Sequence, residues 1–71
     1  MNFEELLTAD QRKEVLENRI LGFSVEAYQV SLNKKVAETV NDVDGIQQSQ
    51  NALAMLEVAI GIYKDELATI A

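Results

Sequence analysis

Two runs of this chain carry apolar residues at alternating spacings of four and three, and the runs match each other from end to end. In residues 46–70, Ile46, Leu53, Ile60 and Leu67 fall on one register, and Ser49, Leu56, Tyr63 and Ile70 fall on its companion. In residues 16–37, the series is Leu16, Ile20, Phe23, Ala27, Val30, Lys34 and Ala37. Such spacing holds one stripe of an α-helix facing one way over many turns, and the stripe needs another helix against it. Between the runs lies Asn41-Asp42-Val43-Asp44-Gly45, rich in residues that leave helical geometry cheaply. A short link between long helices makes them antiparallel. Folding about Val43 sets Val40 beside Ile46, Ala37 beside Ser49, Lys34 beside Leu53 and Val30 beside Leu56. Ala27 then meets Ile60, Phe23 meets Tyr63, Ile20 meets Leu67 and Leu16 meets Ile70, with no insertion at any step.

The expected architecture is therefore all-α, one domain over residues 1–71. A short helical turn spans about 3–7, a long helix about 9–40, a turn 41–45 and a second long helix about 46–70. The N-terminal turn is read from two capping patterns, Asn2 with Glu5 and Thr8 with Gln11. Their six-residue offset suggests a bend at Thr8; the alternative is one merged, frayed helix. Proline is absent and there are three glycines, which favours helix throughout.

A chain of 71 residues has little room for a core. Below about 70–80 residues a single core rarely supplies more than ~3–5 kcal/mol. Cysteine and histidine are both absent, which removes disulfides, thiolate zinc sites and imidazole ligands as staples. Partner chains remain. The faces turned away from the seam point the same way. The first helix carries Leu21, Val25, Tyr28, Leu32 and Val36 there, and the second carries Ala54, Met55, Val58, Gly61 and Ile62. Leaving four or five large apolar side chains in water forgoes on the order of 8–12 kcal/mol. These residues are the expected oligomer interface, in an oligomeric helical bundle. The small residues Ala54 and Gly61 would let a further helix come close.

The net charge of −6 shows no basic stripe of the kind that meets nucleic acid, and it would be repelled by an anionic membrane. The longest nearly apolar run, residues 52–63, contains Glu57 and is too short for a membrane span, which needs ~20 residues. No basic segment precedes an apolar run at the N-terminus, so a cytoplasmic protein is expected, in the host cytoplasm if it is viral. Without histidine or cysteine, and with its acids on solvated faces, the chain is not expected to be an enzyme or to hold a metal or cofactor.

One polar cluster could hold a ligand near the turn. In a groove between protomers, Tyr28 would stack on a base, Lys34 and Lys35 would meet phosphate, and Thr39, Gln47 and Asn51, with Asn33, Gln48 and Gln50 beside them, would read polar edges. An ordinary solvated hairpin tip accounts for the same residues. Glu26 and Glu57 flank the seams, where charges commonly fix register.

A short acidic chain without Cys, His, Trp or Pro, folded as two helices about one turn, resembles the small helical-hairpin accessory proteins of tailed bacteriophages. The resemblance implies a virion or assembly component, or a factor that disarms a host defence. Among the latter, oligomeric helical proteins that sequester cyclic-nucleotide signals share this general architecture. The expected function is a non-enzymatic, homo-oligomeric interaction module whose partner is itself or a host protein. The alternatives are sequestration of a small anionic nucleotide between protomers, or inhibition of a host nucleic-acid-binding enzyme by an acidic surface.

Overall fold

A computed structural model of the chain describes residues 2–70. It begins with one 3-10 turn, Phe3–Leu6. The Asn2 side chain caps it by accepting the Glu4 amide at 3.0 Å. Leu7 is extended, and this separates the turn from the next element.

Helix α1 runs over Ala9–Thr39. Its start is a reciprocal capping box. The Gln11 amide donates to Thr8 Oγ1 at 3.1 Å, and the Thr8 amide donates to Gln11 Oε1 at 2.9 Å. Two of the amides that a helix start leaves unpaired are satisfied this way. Two separate helical starts are thus present, not one merged helix.

The end of α1 and the start of α2 (Val43–Ile70) share a three-residue link. Asn41 adopts a left-handed conformation, φ 57°. Asparagine tolerates this region better than most residues. The Asn41 amide then donates to the Glu38 carbonyl at 3.3 Å, and the Asp42 amide donates to the Ala37 carbonyl at 2.8 Å. This is the Schellman closure of a helix. Asp42 next serves as N-cap of α2, its Oδ1 accepting the Gly45 amide at 3.0 Å. Because one residue closes α1 and caps α2, the second helix begins at Val43, three residues before position 46, and the link shrinks to residues 40–42. Val40 is left 66% exposed, so the expected layer of Val40 on Ile46 does not form as a buried pair.

Gly45 leaves room at this junction for the Asp42 carboxylate that caps α2. A Cβ there would lie 2.5 Å from Asp42 Oδ2 and 3.2 Å from Ala37 Cβ.

From the link onward the two helices pack against each other along the seam. Ala37, Ser49 and Leu56 are buried, and each of the other seam residues from Leu16 to Ile70 is half-buried. The Phe23 and Tyr63 rings meet edge to face with centroids 5.1 Å apart, which anchors the register read from the sequence. Ala37 and Ser49 line one cleft together near the link, and Leu16 and Ile70 line another at the far end. The result is a rod measuring 49 × 19 × 17 Å. Its radius of gyration is 15.9 Å, against about 11 Å for a compact domain of this length.

Candidate interaction surfaces

Geometry first limits what α1 and α2 can bury. Two helices in contact give each other one stripe, and every other side of each faces outward. The outward rows here are apolar. On α1, Leu21 is 64% exposed, Tyr28 66% and Val36 64%, with Val25 and Leu32 also exposed. On α2, Met55 is 75% exposed, with Val58 and Ile62 exposed beside it. Ala54 and Gly61 are exposed as well. Nothing in the hairpin lies within 4 Å of where a Cβ on Gly61 would sit, so no contact inside the chain calls for glycine there.

The chain's surface is 5538 Å². A compact folded monomer of this mass exposes about 4,400 Å². The excess of roughly 1,100 Å² is similar to the ~800 Å² that each partner commits to a standard interface.

The six residues read as a ligand cluster are arranged otherwise than around one pocket. Lys34 sits half-buried in the seam, and Lys35 is exposed. Thr39 Oγ1 donates to the Lys35 carbonyl at 2.8 Å, within its own helix. Gln47 Nε2 donates to Asn51 Oδ1 at 3.0 Å, an exposed pair one helical turn apart. The Tyr28 carbonyl accepts from Ser31 Oγ at 2.6 Å while its ring stands out from the helix. A cleft of about 370 Å³ lies beside the link, where two amides of the wider polar cluster, Asn33 and Gln48, line it together with Asp42 and Ser49.

At the far end a smaller cleft, about 140 Å³, is walled by Leu7, Val15, Leu16 and Ile70 with Glu4, Arg12 and Glu66. Arg12 extends the seam by one more step of four, and its Nε is buried without a hydrogen-bond partner. Arg19, one turn below Phe23, lays its guanidinium 5.1 Å from that ring's centroid. A flexible cation is thereby drawn to the ring's electron-rich face.

A further groove of about 330 Å³ runs between the helices at mid-length, lined by Phe23, Glu26, Ala52, Met55, Leu56 and Ala59. Its floor on α2 is two half-buried alanines, Ala52 and Ala59. Neither stands out in the sequence as an interface residue. The available signal was their seven-residue spacing, one step aside from the main seam.

Among the described residues, no group of three or more acidic side chains is placed to hold a metal ion. No helix among them is long and apolar enough to cross a membrane. Comparison with protein-family models, with curated proteins and with solved structures gives no significant match.

Proposed function

We propose that this protein is a non-catalytic helical interaction module that works as an assembly of its own copies. The observation that carries the reading is the pair of outward apolar rows, one on each helix, on a rod only two helices thick. Exposing one large apolar side chain forgoes ~1.5–3 kcal/mol, so covering several is worth as much as the whole stability of a small domain. The surface excess over a compact monomer supports the same reading.

Light scattering at low micromolar concentration tests it. The expected mass is a multiple of 7.9 kDa, and it should survive high salt because apolar contact is not screened. A 7.9 kDa particle would overturn the reading.

Sequestration of an anionic nucleotide would require Tyr28, Lys34 and Lys35 from different copies to converge. A melting temperature that rises with a cyclic-nucleotide panel would favour it, since a ligand bound only to the folded state stabilises that state. An acidic inhibitor of a nucleic-acid-binding enzyme would instead lose its target in salt.

A further inference from the structure

Asp44 is the one Asp or Asn of the chain that is followed directly by glycine. That dipeptide is chemically fragile, because a glycine carries no side chain to keep its nitrogen away from the preceding carboxyl. The Gly45 nitrogen can attack Asp44 Cγ. A C–N bond forms there, the amide proton and the carboxyl hydroxyl leave together as water, and a succinimide ring closes. Water then reopens the ring at either carbonyl. Opening at the backbone carbonyl leaves isoaspartate, with the main chain running through Asp44 Cβ and Cγ.

We infer that Asp44 is a latent isomerisation site and that the Asp42 cap holds it shut. The attacking group is already engaged, since the Gly45 amide donates to Asp42 Oδ1 at 3.0 Å. The backbone is held in the wrong shape as well. Asp44 lies in the first turn of α2, where ψ is close to −42°, and ring closure needs rotation about its Cα–C bond out of that range. Such rotation would pull the Gly45 amide off its cap. It would also strain the next bond, from the Ile46 amide to the Asp42 carbonyl at 2.9 Å. Gly45 is half-buried, and a Cβ there would lie 3.2 Å from Ala37 Cβ, so α1 sits against the segment that would have to move. Asp44 itself is exposed, and the restraint therefore acts through the backbone.

Each half of the fragile pair has a structural reason to be there. Glycine at 45 leaves space for the Asp42 carboxylate. An acid at 44 suits the positive end of the helix dipole. Isomerisation would add a backbone atom inside this turn, detach the Gly45 amide from Asp42 and shift the seam that follows. The link thus carries an ageing reaction that runs only while the cap is open. It follows from the link of a single hairpin and does not depend on self-assembly.

Ring closure is slow and fraying of a helix end is fast, so the rate follows the population of the open cap. Full-length parent, Asp42→Ala, Asp42→Asn and Thr8→Ala chains are incubated in warm neutral buffer, and isoaspartate at residue 44 is followed by peptide mapping. Asp42→Ala should isomerise about 5-fold faster than the parent, the shift that loss of an N-cap produces. Asp42→Asn keeps an oxygen for the Gly45 amide and should stay within about twofold of the parent. Thr8→Ala loses a cap on the other helix and should match the parent. Equal acceleration by Thr8→Ala and Asp42→Ala overturns the inference, because global unfolding alone would then expose the site. Hydrogen exchange at the Gly45 amide of the parent reads the same opening without any variant. It should be at least about 5-fold slower than in the denatured chain, and exchange at the denatured rate overturns the inference.

Discussion

Phe23 of α1 and Tyr63 of α2 meet edge to face, ring planes at 83° and centroids 5.1 Å apart. They are 40 residues apart in the chain, so their contact fixes how far one helix has slid along the other. Edge-to-face pairs contribute ~0.5–1.5 kcal/mol beyond the area they bury. A double-mutant cycle with Phe23→Leu and Tyr63→Leu should show a coupling of about that size in chemical denaturation. Additive losses would mean that the rings only fill space.

The capping box at the start of α1 offers a cleaner local test. Thr8→Ala removes the acceptor of the Gln11 amide and should cost about 1 kcal/mol. Thr8→Ser should retain nearly all of the stability. Thermal melts of the two variants against the parent separate cap loss from a general effect at position 8.

Glycine substitutions should divide by position. Nothing lies within 4 Å of a Cβ at Gly22, so Gly22→Ala should raise stability by up to ~1 kcal/mol through helix propensity. Gly45→Ala should bring no such gain, because its Cβ would displace the Asp42 carboxylate that caps α2. Equal gains at both sites, read from denaturant midpoints, would show that the cap moves aside freely.

Charges placed on the outer rows should break the assembly. Leu32→Glu on α1 and Val58→Glu on α2 would each bury an unpaired carboxylate in any interface that covers them. The expected readout is a lower mass by light scattering, with helicity by circular dichroism retained at low temperature. An unchanged mass would mean that the substituted row is open to water in the working form.

The seam was legible in the sequence because helical periodicity is a local property. Each seam residue from Leu16 to Ala37 and from Ile46 to Ile70 is half-buried or buried, as its spacing requires. The link was less legible. Asn41, Asp42 and Gly45 all read as turn residues, but residue type could not show that Asp42 both ends α1 and caps α2. That overlap moves the helix start to Val43 and leaves Val40 exposed. The polar cluster illustrates the opposite limit. Tyr28, Lys34, Lys35, Thr39, Gln47 and Asn51 are close to one turn in the chain, and the groove between copies in which they would meet a ligand is not a property of one hairpin.

The sequence by itself determined that two long helices form and which stripe of each faces the other. Spacing of four and three admits one solution for a helix, and the two series interlock without a gap. Only the tertiary structure decided where the link tightens, because hydrogen bonds from both helices compete for the same three residues. It also decided that Ala52 and Ala59 form the floor of a groove with Phe23, Glu26 and Met55 at its sides. That relief depends on how deeply α2 sits against α1, a distance set by the packed side chains of both helices and by no single residue of either.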